Sequence, residues 1–187
     1  MKISHDYILT FNDDYFVIDN PRYQQISRCI DILEKSNYSH IRLVRGANFS
    51  PLSQYEFLYP MNNKQPYFFS QTLSLWKRSD LVRVFETVGP SGIGRKRKEV
   101  QFEVLANKAC EQLGMTGLVY YEGEKKVGSA HYECNLIPHV VSAIVDGYWN
   151  TREYSNELLE IENKFHLQLN PARNKSLLRS LIDKFLP

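Results

Sequence analysis

The chain has 187 residues, 43% of them apolar and 24% charged, with a formal net charge of +2. This is enough for one ordinary domain plus a small appendage, and no apolar run approaches the roughly 18 residues needed to cross a bilayer. So small a net charge excludes a polyanion-binding character spread over the whole surface, so any nucleic-acid reading rests on local patches.

In chain order, Met1-Lys2-Ile3-Ser4-His5-Asp6 carries no apolar stretch behind a basic region, and a cytoplasmic location without a membrane partner is expected. Tyr7 to Phe11 and Tyr15 to Ile18 alternate around Asn12-Asp13-Asp14 and predict a β-hairpin. Asn20-Pro21 reads as the cap and first residue of a helix to about Ser36, with Ile26, Cys29, Ile30 and Leu33 at helical spacing. His40 to Arg45 reads as a strand, residues 47–66 as a long loop with at most a short strand near Tyr55-Leu58, and Tyr67-Phe68-Phe69 as a strand.

Leu81 to Val88 alternates with polar residues and predicts a further strand. It runs into Gly89-Pro90-Ser91-Gly92-Ile93-Gly94, after which a helix is expected over about 95–113, with Val100, Val104, Leu105, Ala109 and Leu113 on one side and Gly114 ending it. Leu118 to Tyr121 and Val127 to Tyr132 flank Glu122-Gly123-Glu124-Lys125 as a second hairpin. Helices are expected at about 137–148, 151–165 and 171–185. The sum is an α+β fold, with a mixed or antiparallel sheet and packed helices over 1–135, and a helical segment over 136–187 that ends in a helical hairpin.

The strongest functional signal is Arg95-Lys96-Arg97-Lys98, four cations at the start of the helix that follows the glycine turn. A helix N-terminus carries partial positive charge and unpaired N–H groups, so cations in its first turn each cost on the order of 0.3–1 kcal/mol. An anion there removes the conflict, and glycine-rich turns opening onto helices form ready anion cradles. Among sequence neighbours only Glu99 and Glu103 are close enough to compensate. Gly92, Gly94 and Arg95 to Lys98 are therefore candidate nucleic-acid-binding residues, with DNA or RNA as the partner. Arg173, Lys175 and Arg179 join them, because basic residues opening the second of two helices are what a helix-turn-helix reader presents to a major groove.

Other constellations in the chain match known motifs in part. Gly89 and Gly94 have P-loop spacing, but Arg95 and Lys96 stand where the lysine and the metal-holding hydroxyl belong. Val88 to Gly94, followed by a helix, Gly114 and a strand, resembles the acetyl-CoA-binding segment of the GNAT acyltransferases, with Gly92-Ile93-Gly94 matching the end of its motif. That resemblance implies a CoA-dependent N-acyltransferase, with Tyr120, Tyr121 or Tyr148 as general acid and Glu122 as base. His131-Tyr132-Glu133 matches half of the zinc deaminase signature, and His131, Glu133, Cys134 and His139 would form a metal site only if the chain folded back. Glu124-Lys125-Lys126, with Asp80 or Glu86, has the spacing of a PD-(D/E)xK nuclease. Cys29, Cys110 and Cys134 are few, odd in number and far apart, which argues against disulfides and structural zinc, and no cofactor is expected. Twelve tyrosines leave room for a protein-interaction surface, towards a partner chain or a second copy.

Overall fold

The computed structural model describes residues 5–12, 14–46, 49–89, 98–127, 131–141, 143–145, 148–151 and 153–167. The chain is divided into two compact units, Met1–Asn12 with Pro21–Ile137, and Asp13–Asn20 with Pro138–Pro187.

The first unit is built on a five-stranded mixed sheet in the order β1-β5-β3-β6-β4, with β1 Tyr7–Thr10, β3 His40–Arg42, β4 Leu58–Met61, β5 Ser74–Lys77 and β6 Gly117–Tyr120. Only the β3–β6 pairing is parallel. The central strands are buried throughout, and their residues divide by parity between the faces. Trp76, Val119 and Met61 point towards two helices, α2 Arg78–Val88 and α3 Lys98–Gln112, and pack with Leu81, Val84, Ala106, Ala109 and Cys110 from them. Ile41, Leu75 and Leu118 have the opposite parity. A further helix, α1 Tyr23–Glu34, lies against β3 and β5 and buries Cys29 and Leu33, two members of the stripe read from the sequence.

Several expectations are corrected. Residues 81–88 form a helix, in which Leu81 and Val84, three residues apart, share the buried face that strand alternation would have split. Val82 and Phe85 lie off that buried face and are 43% and 53% exposed. The first hairpin does not form: β1 pairs with β5, while Phe16–Val17, here β2, pairs in the second unit. Nor does β6 turn back on the strand after it. It pairs with β3 and β4, and the small hairpin lies further on, between β7 Lys126–Val127 and β8 His131–Tyr132. Residues 67–69 are not a strand; Phe68 and Phe69 are buried in the loop that leads to β5. Among the described residues of α3, Phe102, Ala106, Ala109 and Cys110 point inward, joined by Leu113 just beyond its end, while Val104 is 51% exposed.

In the second unit β2 pairs with β9 His139–Val140, and β10 Ile144–Val145 pairs with β11 Tyr148–Trp149. Strands thus occupy part of 137–148, where a helix was expected. The expected helix over 151–165 is observed as α4, Ser155–Phe165, which buries Leu158 and Ile161. Tyr15 stacks on His139 with ring centroids 4.8 Å apart, and Lys164 pairs with Asp19 at 3.9 Å. The expected helix over 171–185, and with it the C-terminal hairpin, lies outside the described residues.

Candidate functional site

The basic segment connects α2 to α3. Helix α2 ends at Val88, and Gly89 follows with φ +65°, its N–H donating to Phe85 O at 3.0 Å. A residue with a Cβ resists that left-handed conformation, so glycine suits the exit from the helix. Gly92, Gly94, Arg95, Lys96 and Arg97 lie outside the described residues, as do Arg173, Lys175 and Arg179. Lys98 is the first residue of α3, so the cation run abuts a helix of 15 residues.

Two polar residues fix α3 to the loop before β5. The Glu103 carboxylate accepts from the Ser70 hydroxyl at 3.1 Å and from the Gln71 N–H at 2.8 Å. Asn107 accepts from the Phe69 N–H at 3.0 Å and donates to the Phe69 carbonyl at 3.2 Å. Glu103 was one of only two carboxylates near enough in sequence to offset the cation run, and the fold commits it to loop donors.

Residues 78–88 are helical, where both the P-loop and acyl-CoA readings need a strand leading into the glycine turn. Asp80 and Glu86 stand on α2, and Asp80 takes an ion pair from Arg83 at 3.2 Å. Among the described residues no three His, Cys, Asp or Glu side chains gather as a metal-binding group. Cys134 is buried, donating to Leu43 O at 3.2 Å and receiving the Ile137 N–H at 3.4 Å, with its thiol pushed up to about 11 by burial. Cys29 and Cys110 are likewise buried and held at about 12. None of the three is poised as a thiolate nucleophile.

A carboxylate cluster that sequence reading placed at an exposed hairpin tip is instead folded in at the end of β6. Glu122 accepts from Arg22 at 3.1 Å, from the Tyr120 hydroxyl at 3.2 Å and from the Asn135 amide at 3.3 Å. Glu124 is 7% exposed; its Oε2 takes the Glu122 N–H at 2.7 Å, and its Oε1 has no hydrogen-bond partner among the described residues. Burial raises its carboxyl above the usual range, and the neighbouring Glu122 charge adds to this. A carboxyl raised on folding contributes most at acid pH, and the contribution is lost as pH rises through the folded value. Glu124→Gln keeps the bond to Glu122 N–H and cannot ionise. Its melting temperature at pH 8 is expected to exceed wild type by about 2–4 °C, with the gain fading at pH 4, as differential scanning calorimetry would read.

A groove of about 400 Å³ runs between α3 and the 63–67 loop, with Pro66, Tyr67 and Val104 as its apolar lining. Lys64 and Lys108 in its lining are balanced by Glu103 and Glu111, so it has no charge preference for a polyanion. Comparison of the chain with protein-family models, curated proteins and solved structures gave no match.

Proposed function

We propose that this protein binds nucleic acid through the basic connection between α2 and α3. One observation carries the reading: four consecutive cations meet the N-terminus of a long helix while Glu103 is engaged with Ser70 and Gln71. Phosphates would offset both the crowded charge and the helix-end N–H groups, and releasing their counterions would supply most of the affinity. Arg173, Lys175 and Arg179 are assigned as a secondary contribution from the C-terminal segment. Phosphate contacts of this kind position a duplex or strand without reading its bases, so modest sequence preference is expected.

The test is fluorescence anisotropy of labelled single- and double-stranded DNA and RNA across a salt series. The wild type is compared with a variant carrying Arg95→Gln, Lys96→Gln, Arg97→Gln and Lys98→Gln. Neutralising four phosphate contacts is expected to make the log–log salt slope shallower by about 3 and to lower affinity at low salt by about a hundredfold or more. Equal slopes for the two proteins, or no binding by wild type at low salt, would refute the assignment.

A further inference from the structure

Two arginines leave β3 within four residues of each other, and the fold uses them in opposite ways. Arg42 is buried and spent on main chain, with Nε donating to Val44 O at 2.9 Å and Nη1 to Tyr67 O at 2.7 Å. Arg45 is half-buried and makes no ion pair or hydrogen bond with any described residue. Its guanidinium lies over three aromatic rings instead: Tyr121 at 4.6 Å, Tyr132 at 4.8 Å and Phe49 at 5.4 Å from the ring centroids.

The rings come from separate parts of the first unit and are themselves braced. Phe49 bridges to Met61 on β4 and contacts Tyr59 and Tyr121, with centroids 5.1 and 5.6 Å apart. Tyr121 is fixed where β6 ends, its N–H donating to Phe57 O at 2.8 Å. Tyr132 lies on β8, directly opposite Lys126 of β7, so exposed Lys126 projects from the same face as the ring over Arg45. Aromatic faces hold a guanidinium through its π plane and leave its fork of N–H donors, which lies in that plane, to bind elsewhere. A pre-positioned guanidinium whose donors no described residue takes, with no described carboxylate on it and a lysine on the hairpin face of one of its rings, is matched to a phosphate group, which takes such a fork in a bidentate fashion.

We infer that Arg45, seated in the box formed by Phe49, Tyr121 and Tyr132, with Lys126 on the same hairpin face as Tyr132, is a phosphate-binding site. Where the phosphate belongs to a nucleic-acid backbone, the inference rests on the binding proposed above; a free phosphate compound is the other source of the same chemistry.

The site is tested on the full chain in two arms. In the first, the Arg45 Nε–H resonance, assigned by its loss in Arg45→Lys, is followed during titration with inorganic pyrophosphate and with an oligonucleotide, against sodium chloride at matched ionic strength. In the second, Arg45→Gln and Arg45→Lys are compared with wild type and the four-residue loop variant for oligonucleotide affinity, with thermal melting to establish that each is folded. A saturable shift is expected, together with about tenfold weaker oligonucleotide binding by Arg45→Gln, a salt slope shallower by about one and an intermediate loss for Arg45→Lys. A resonance moved by pyrophosphate in a protein that binds no oligonucleotide would support the site with a free phosphate compound as its ligand, and would refute the nucleic-acid reading. Unchanged oligonucleotide binding by Arg45→Gln alongside a weakened loop variant would overturn the role of Arg45 and leave the nucleic-acid reading standing. No response of the Arg45 resonance to either probe would overturn the site altogether.

Discussion

Replacing Gly117 by alanine is expected to destabilise the protein by about 3 kcal/mol, although the same change usually stabilises a strand. Gly117 sits in β6, paired with His40 in the parallel neighbour β3. A Cβ at this position would fall 2.5 Å from His40 Cε1 and 2.9 Å from Nδ1. The imidazole has nowhere to retreat. It stacks on Trp76 with centroids 4.0 Å apart and planes 9° from parallel, meets the edge of Phe68 at 4.9 Å, and bonds through Nε2 to the Phe68 carbonyl at 3.1 Å. His40 and Trp76 are fully buried, so relieving the clash would mean shifting a central strand or breaking the stack. The measurement is urea unfolding of Gly117→Ala in wild type and in a His40→Ala background. In the second background the space is open and the added cost should fall to near zero, giving a coupling energy of about 2–3 kcal/mol. Equal costs in the two backgrounds would show that the ring is not what reserves this position for glycine.

The second large effect is acid sensitivity centred on the same imidazole. Burial holds the His40 pKa down at about 3, with the nearby Arg42 charge acting in the same direction against the hydrogen bond to Phe68. An unfolded histidine titrates near 6.5, so below that pH the unfolded chain takes up a proton that the folded chain refuses. The contribution of His40 to stability is therefore intact above about pH 6.5, and falls by about 1.4 kcal/mol per unit as pH drops towards 3. The ring is neutral throughout the ordinary range, so with Phe68 O accepting, the proton resides on Nε2. His40→Phe keeps a flat ring against Trp76 but cannot charge. It should be less stable than wild type at pH 8 by about 1–2 kcal/mol, the Phe68 carbonyl having lost its donor, and more stable by pH 4. Denaturant unfolding between pH 4 and 8 would show the two stability curves crossing; parallel curves would remove His40 as the source of the acid sensitivity.

Much of the α+β character is legible in local patterns, and the failures share a cause. The stripe of α1 and the strand β6 stand out through closely spaced apolar residues, and β3 through Ile41 and the Leu43-Val44 pair that follows it. Residues 81–88 misled because exposed Val82 shares strand parity with buried Val84, so a helix whose inward pair is Leu81 and Val84 reads as an alternating strand. The two expected hairpins failed because neighbouring strands took distant partners: β1 runs against β5, and β6 lies between β3 and β4. The cation run is visible to anyone reading the chain. The Arg45 box is not, since its rings are contributed from positions 49, 121 and 132, and no local spacing links them.

What the residues determine by themselves is the class of structure, the greater part of the apolar positions and the placing of four cations at the start of α3. These depend on short-range periodicity, helix-end chemistry and charge, all of which act within a few residues. Only the tertiary structure decided which strands pair, that Glu103 is spent on Ser70 and Gln71, that Gly117 must stay bare beneath His40, and that Arg45 rests on aromatic rings instead of a carboxylate. Backbone ladder bonds are nearly blind to side-chain identity, and the environment of a charged group depends on whichever distant segment packs against it, so both are settled only when the sheet and its covering helices close together.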